Sequence, residues 1–124
     1  MKATIISIGD ELMTGKTINT NQATITNQLF MMGIQTEFAI NLADRKDMIK
    51  QTLKHIASDL IIFTGGLGPT HDDLTKESVC EYFDKPLEFV SSVYEDIKHY
   101  FEHQGKPMPS SNNKQAYFPK DVDI

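Results

Sequence analysis

The sequence contains a single cysteine, no tryptophan and no long hydrophobic run. The cysteine count and the missing run each exclude a class of protein. Cys80 alone cannot form an internal disulfide, which is typical of proteins in a reducing compartment. No apolar stretch approaches the roughly 20 residues that a membrane-spanning helix needs. The apolar stretch after Lys2 is also far too short for the core of a secretory signal peptide. We therefore expect a cytoplasmic protein without a membrane partner.

Basic residues are also scarce relative to acidic ones. The chain has 12 Lys and Arg against 17 Asp and Glu, and its formal net charge is −5. Proteins that bind nucleic acid neutralise phosphates with clustered Lys and Arg, whereas the basic residues here are scattered along the chain. We expect no nucleic-acid partner. A small-molecule ligand, held with the help of a bridging cation, fits the acidic balance better.

Length and composition predict one ordinary domain. A chain of 124 residues falls within the usual size of a single domain, and 40% hydrophobic with 23% charged residues is typical of soluble globular proteins. The sequence shows no internal repeat and no linker. We expect residues 1–124 to form one domain.

Strand-like and helix-like patterns alternate along the chain. Runs rich in β-branched residues predict strands at residues 3–8, 34–40 and 60–63. Apolar residues at helical spacing predict helices at residues 19–33, 46–57 and 76–83. This alternation favours parallel strands joined by right-handed crossovers. The sequence therefore predicts an α/β fold in which helices cover both faces of a mostly parallel sheet.

Helix boundaries are marked by capping residues. Asn19 is placed to cap the first long helix, and Gly33 is placed to end it in a left-handed conformation. Ser92 and Glu95 have the spacing of a capping box for a last helix, which Gly105 would end.

The carboxyl-terminal segment lacks a periodic pattern. Residues 106–119 are polar and contain three prolines, which predicts a surface loop. Val122 and Ile124 suggest the start of a further strand that the chain does not finish. We therefore expect the domain to be truncated at its carboxyl end.

Three loops follow the predicted strands, and each carries carboxylates. They contain Asp10 with Glu11, then Asp44, then Asp72 with Asp73. Ligands of open α/β sheets bind beyond the carboxyl ends of the strands, where the loops diverge and the amino ends of helices point outward. The sequence therefore predicts that these acids converge on a ligand site.

The third of these loops, residues 65–75, is rich in glycine, and we call it the glycine loop. Gly65, Gly66 and Gly68 can adopt positive φ and allow backbone N–H groups to approach a phosphate closely. A tight turn between strand and helix explains the glycines equally well. One of Asp72 and Asp73 could cap the following helix, and the other could hold Mg²⁺ or another hard cation.

Several short motifs together form a recognisable pattern. The glycine loop reads Gly65-Gly66-Leu67-Gly68-Pro69-Thr70, followed by Asp72-Asp73-Leu74-Thr75. Other parts of the pattern are Gly9-Asp10-Glu11-Leu12, Gly15, Asn19-Thr20-Asn21, Asp44 and Asn113-Lys114-Gln115-Ala116. This combination resembles the CinA (competence-damage-inducible) family and the related molybdopterin-binding domains of molybdenum-cofactor biosynthesis. Leu67 and Asp72 stand where the cofactor enzymes usually have Thr and Arg, which favours the CinA branch.

The resemblance implies a three-layer αβα fold and roles for individual residues. Asp73 and Asp44 are expected as the catalytic acids, and Gly65, Gly66 and Gly68 as the phosphate-binding turn. Further ligand contacts are expected from Pro69, Thr70, Thr75, Asn21 and Lys114. A divalent cation, Mg²⁺ or a transition metal, is the expected cofactor, with Asp10, Glu11 and Asp72 as its ligands.

Two activities fit this pattern. One is metal-dependent hydrolysis of the pyrophosphate in ADP-ribose-like nucleotides, as in CinA proteins. The other is binding of a pterin without hydrolysis, as in molybdenum-cofactor biosynthesis. An assembly domain with a decayed site is a weaker third interpretation, because the acids are intact. We expect a nucleotide or pterin as the ligand and a homo-oligomer as the assembly.

Overall fold

The structure, a computed structural model, describes all of residues 1–124. It contains five strands, five α-helices and one 3-10 helix. The strands are β1 (Lys2–Ile8), β2 (Gln35–Leu42), β3 (Leu60–Thr64), β4 (Leu87–Phe89) and β5 (Tyr117–Pro119). The α-helices are α1 (Asp10–Met13), α2 (Thr20–Met31), α3 (Lys46–Leu53), α4 (Thr75–Tyr82) and α5 (Ser91–His103). The 3-10 helix spans Ser110–Ala116.

The central sheet has three parallel strands in the order β2-β1-β3. Ile5 of β1 pairs with Ala39 of β2 on one side and with Ile62 of β3 on the other. Because both neighbours run parallel to β1, their carboxyl ends lie at the same edge of the sheet. The predicted parallel sheet is confirmed.

Side chains of β1 point alternately to the two faces of the sheet, and each face is covered by helices. Ala3 and Ile5 pack against Leu29 of α2 on one face. On the other face, Ile6 and Ile8 belong to a buried cluster that includes Ile49 and Leu53 of α3. Val79 and Tyr82 of α4 pack against this second cluster. The result is the predicted α/β architecture, with a sheet between two helical layers.

Some predicted helix ends are confirmed and others are wrong. Asn19 Oδ1 accepts the N–H of Gln22 over 3.0 Å and caps α2, and Gly33 has a φ of +75° after its last turn. Helix α3 ends at Leu53 rather than at residue 57. Helix α5 begins at Ser91 without any side-chain cap, so the proposed capping box at its start does not form.

The carboxyl-terminal third forms a second, smaller unit, which we call the small lobe (residues 87–119). Strands β4 and β5 pair antiparallel, and the 3-10 helix lies in the segment predicted to be a surface loop. That prediction was wrong because three-residue strands and a 3-10 helix carry no recognisable periodicity. Val122 and Ile124 form no strand, and both are exposed. None of the helices combines the length and apolar character that crossing a bilayer requires.

Candidate functional site

The three loops that follow β1, β2 and β3 meet at one edge of the sheet. The N–H of Asp44 donates to Asp10 Oδ1 over 3.1 Å, which joins the first two loops. The N–H of Leu74 donates to Asp44 Oδ1 over 3.1 Å, which joins the second loop to the third. The acids of these loops were expected to converge. Asp44 takes part in both of the hydrogen bonds that join the loops.

Two small polar pockets open at this edge. The first, of about 210 Å³, holds most of the acids and is lined by Ile8, Gly9, Asp10, Glu11, Asp44, Gly65, Gly66, Asp72 and Asp73. The second, of about 130 Å³, is lined by Ile8, Glu11, Leu12, Thr17, Ile18, Asn19, Thr20, Asn21, Thr64 and Gly65. The two pockets share Ile8, Glu11 and Gly65, so one extended ligand could occupy both.

The glycines of the loop allow a close fit between the loop and its surroundings. Gly65 and Gly66 have φ values of +82° and +62°, which disfavour any residue with a side chain. A Cβ at Gly65 would overlap the carbonyl oxygen of Ile8, and one at Gly66 would overlap Thr75 Oγ1 and lie 2.8 Å from Asp44 Oδ2. In the direction of a Cβ, the space beside Gly66 is therefore filled by the side chains of Thr75 and Asp44.

Backbone donors nevertheless remain free at this turn. The N–H groups of Gly65 and Gly66 make no hydrogen bond within the chain, and both residues line the acidic pocket. Thr75 closes the turn from behind, because its N–H donates to Gly66 O over 3.2 Å and its hydroxyl donates to Gly65 O over 2.9 Å. Two adjacent free amides held in a fixed turn are the groups that bind phosphate oxygens.

Asp73 is held by its own loop. Its Oδ2 accepts the Thr70 hydroxyl over 2.6 Å and the Thr70 N–H over 3.0 Å. These hydrogen bonds, with the Thr70 hydroxyl first, hold the pKa of the Asp73 carboxyl below its usual value. Leu74 occupies the N-cap of α4 and no side chain caps the helix. The interpretation that Asp72 or Asp73 caps this helix was therefore wrong.

Asp44 lies in a different environment. Burial raises the pKa of the Asp44 carboxyl, and the nearby negative charges of Asp73 and Asp10 raise it further. The N–H of Leu74 and the charge of Lys114 act in the opposite direction without cancelling the rise. Asp44 and Asp73 are thus two neighbouring carboxyls whose pKa values are pushed apart, a pattern typical of acid and base pairs in active sites.

The expected metal ligands differ in their placement. Asp10, Glu11 and Asp72 all line the acidic pocket. Asp72 points outward, because its carboxylate pairs with His71 over 2.9 Å and the two side chains are 82% and 92% exposed. No three His, Cys, Asp or Glu side chains are arranged to hold a metal ion together. The carboxylate oxygens of the pocket suit a hard cation such as Mg²⁺, which proteins bind through one or two carboxylates together with ligand oxygens and water.

The expected ligand-binding residues fall into two groups. Gly65 and Gly66 line the acidic pocket, and Asn21 lines the adjoining one. The others line neither pocket: Gly68, Pro69, Thr70 and Thr75 belong to the glycine loop, and Lys114 contacts it.

Comparison with known proteins agrees with this geometry. A family model described as "probable molybdopterin binding domain" matches residues 4–119. The protein CinA from Thermoplasma acidophilum has a crystal structure that superposes with a TM-score of 0.89 at 30% identity, over 99% of this chain and 73% of that one. The chain belongs to the CinA family of molybdopterin-binding domains. The family expected from the motifs is confirmed.

Longer CinA-family proteins contain a segment similar to this chain. Competence-damage inducible proteins from Caldicellulosiruptor saccharolyticus and Clostridioides difficile are 44% and 42% identical to it over 97% and 100% of its length. The chain spans about 30% of the length of these two relatives. The molybdopterin biosynthesis enzyme MoaB from Thermus thermophilus shares the fold, with a TM-score of 0.64 at 21% identity over 92% of this chain and 70% of that one.

Two lysines near this site make contacts that the sequence did not predict. Lys114 donates to the carbonyl oxygens of Thr70 and Asp73 and pairs with Glu77 over 3.2 Å. Lys76 Nζ donates to the carbonyl oxygen of Lys114 over 2.7 Å. These contacts join residues about 40 positions apart, and no local pattern signals them.

Proposed function

We propose that this domain binds an ADP-ribose-like nucleotide at the carboxyl edge of its sheet and hydrolyses the pyrophosphate with the help of a divalent cation. The observation that carries the proposal is the pair Asp44 and Asp73. These two carboxyls with opposite pKa shifts stand beside the free N–H groups of Gly65 and Gly66. Action on a small molecule in the cytoplasm, by a homo-oligomer, is part of the same proposal.

The free amides are proposed to orient the pyrophosphate. The N–H groups of Gly65 and Gly66 would each donate to a phosphate oxygen, without a side chain between backbone and ligand. Asn21 lies in the adjoining pocket among hydroxyl side chains. Such a lining suits the hydroxyl groups of a ribose, so the sugar would extend from the acidic pocket into the second one.

Asp73 and Asp44 are proposed to handle protons. Asp73 is ionised at neutral pH, as any carboxyl with a lowered pKa is, and as the carboxylate it accepts a proton from water. The water oxygen then forms a bond to one phosphorus, and the bond from that phosphorus to the bridging oxygen breaks. Asp44 holds the loops together through its hydrogen bonds with Asp10 and Leu74. Because its pKa is raised, Asp44 is better able than Asp73 to hold a proton.

A cation is part of the proposal for an electrostatic reason. Asp10, Glu11, Asp44, Asp72 and Asp73 surround the pocket, and a pyrophosphate bound among these carboxylates would be repelled. A divalent cation held by one or two of these carboxylates, together with phosphate oxygens and water, would offset this repulsion and polarise the pyrophosphate as a Lewis acid.

A binding module for a pterin is the second candidate. The description of the matching family as a molybdopterin-binding domain and the shared fold with MoaB favour it. A molybdopterin ligand also carries a phosphate, so the free amides of Gly65 and Gly66 would serve it equally well. This candidate requires binding without turnover.

Product release from ADP-ribose tests the proposal, measured with and without added Mg²⁺ or Mn²⁺. We expect metal-dependent turnover in the wild type and a loss of about 10²-fold or more in Asp73→Asn, with Asp44→Asn also impaired. Asp96→Asn, on the exposed surface of α5, is the matched control and should keep full activity. Metal-independent turnover that neither site substitution changes would contradict the mechanism. Tight binding without turnover would favour the pterin or nucleotide module.

A further inference from the structure

Lys114 makes contacts that the proposed chemistry does not use. Its ammonium group donates to the carbonyl oxygen of Thr70 over 2.8 Å and to the carbonyl oxygen of Asp73. Its third contact is an ion pair with Glu77 Oε1 at 3.2 Å. A lysine ammonium has three N–H donors. Two of them bind carbonyl oxygens of the glycine loop, and the group also faces the carboxylate of Glu77.

We propose that Lys114 is a positioning residue that fixes the turn of residues 70–73 and thereby orients the Asp73 carboxylate. The turn is closed from inside by Asp73, whose Oδ2 accepts the N–H and the hydroxyl of Thr70. The Lys114 ammonium also closes the turn, because it donates to the carbonyl oxygens of both end residues, Thr70 and Asp73. Lys114 thus holds the main chain that carries the carboxylate, and the turn can open only if both sets of contacts break.

The position of Lys114 is itself fixed by a second lysine. Lys76 of α4 donates to the main-chain carbonyl oxygen of Lys114 over 2.7 Å, which attaches the 3-10 helix to α4. Glu77, also on α4, supplies the ion-pair partner. The Lys114 and Glu77 side chains are only 24% and 25% exposed, so these contacts are better shielded from water and salt than a surface pair. The small lobe thus contributes a cation that acts through the backbone of the glycine loop.

Amide hydrogen exchange on the whole 124-residue chain tests the positioning role without any ligand. In Lys114→Met we expect the amides of Thr70, Asp73 and Leu74 to exchange about 10-fold faster or more, because charge-assisted hydrogen bonds to the turn are lost. The amides of the β1 and β2 ladder should exchange as in wild type. Lys120→Met removes an exposed lysine just after β5 and should leave the glycine loop unchanged.

Two further variants separate positioning from general stability. Lys114→Arg keeps the charge and several donors, so it should restore much of the protection that Lys114→Met loses. Lys76→Met leaves Lys114 in place but frees its carbonyl oxygen, and it should speed exchange of the same loop amides by a smaller factor. If Lys114→Met does not fold, unchanged loop exchange in Lys76→Met overturns the proposal. Unchanged exchange in a folded Lys114→Met overturns it directly.

The catalytic consequence rests on the proposed function, and it is measured separately. In a wild type that turns over ADP-ribose, Lys114→Met should lower kcat by about 10-fold or more with little change in KM, because the ligand contacts persist while Asp73 is misoriented. Lys114→Arg should recover part of kcat. A large rise in KM with unchanged kcat would instead make Lys114 a ligand-binding residue. Should the wild type show no turnover, the proposed function fails while the exchange experiment still decides the role of Lys114.

Discussion

The central sheet and the small lobe keep their shape by different means. Ile5 and Ile6 of β1 and Ile49 of α3 are completely buried between the two helical layers. In the small lobe, by contrast, the buried residues are Asn112 and Ala116. Burial of apolar area is the main source of folding free energy. The central sheet therefore carries most of the stability, and the small lobe depends on being attached to it.

Half-exposed rings and a few specific contacts hold the small lobe in place. The ring centre of Phe89 in β4 lies 5.5 Å from those of both Tyr94 and Tyr117, and Lys76 Nζ of α4 lies 5.3 Å from the ring centre of Phe118. The hydrogen bonds of Lys76 and Lys114 add to these attachments. The glycine loop therefore lies between a rigid element and a loosely held one. Changes in the lobe should affect the site before they affect global stability.

The largest expected effect is on the central sheet. Ile6→Ala removes a fully buried side chain and should lower the free energy of unfolding by about 2–5 kcal/mol. Phe89→Ala in the small lobe removes a ring that is 49% exposed, and it should cost about 1 kcal/mol. Urea unfolding measures both. Equal losses would show that the small lobe belongs to the same cooperative core as the sheet.

Glycines in the two regions provide a second, sharper contrast. Gly66 and Gly105 have similar φ values of +62° and +66°, but a Cβ at Gly105 would meet no atom within 4 Å. Gly105→Ala should therefore cost only the left-handed strain, about 1 kcal/mol. Gly66→Ala should cost about 1–3 kcal/mol, because Thr75 and Asp44 must also move. Calorimetry gives the stability difference, and titration with ADP-ribose should show lost binding for Gly66→Ala alone.

Sequence patterns predict one of the two regions much better than the other. The strands and helices of the central sheet follow from local runs, such as the β-branched residues of β1 and the capping by Asn19. The three acidic loops follow from the rule that parallel strands end at one edge. In the small lobe only α5 was predicted this way, because β4 and β5 are three residues long and pair only with each other.

Long-range contacts add to the roles that were expected of two site residues. Lys114 was expected to bind ligand, but its ammonium reaches Thr70, which is 44 positions earlier in the chain. Asp44 was expected only as a catalytic acid, but it also accepts the N–H of Leu74 at the start of α4. Both contacts arise from chain folding and leave no trace in local spacing. The roles of these residues in ligand binding and catalysis stay predictions.

Opposite pKa shifts at Asp73 and Asp44 predict opposite effects of pH on stability. Because the folded-state pKa of Asp73 is lowered, ionised Asp73 stabilises the fold above its ordinary pKa of about 3.9, and this is lost as the pH falls through the lowered value. The folded-state pKa of Asp44 is raised. Its contribution to the stability of the fold is therefore present below the ordinary pKa and is lost as the pH rises through the raised value.

Thermal melts from pH 3 to pH 8 check both signs. At pH 7 we expect Asp73→Asn to melt below the wild type and Asp44→Asn slightly above it. Both differences should shrink toward pH 3, where the wild-type carboxyls become protonated. Melting temperatures that shift in the same direction for the two variants would contradict the opposite environments assigned to these acids.

The smallest effect is expected at the exposed ion pairs between α3 and α4, the second of which also anchors Lys114. Glu81 pairs with Lys46 at 2.5 Å and with Lys50 at 3.2 Å, but these side chains are 38–46% exposed. Water and salt screen such pairs, so Glu81→Gln should leave the urea midpoint almost unchanged. Glu77→Gln, on the same helix, removes the shielded partner of Lys114 and should lower the midpoint measurably.

Repeating both measurements in 1 M NaCl should remove any loss at Glu81 and preserve most of the loss at Glu77. If Glu81→Gln were the more damaging variant, the attachment of the small lobe would not depend on the Lys114 pair.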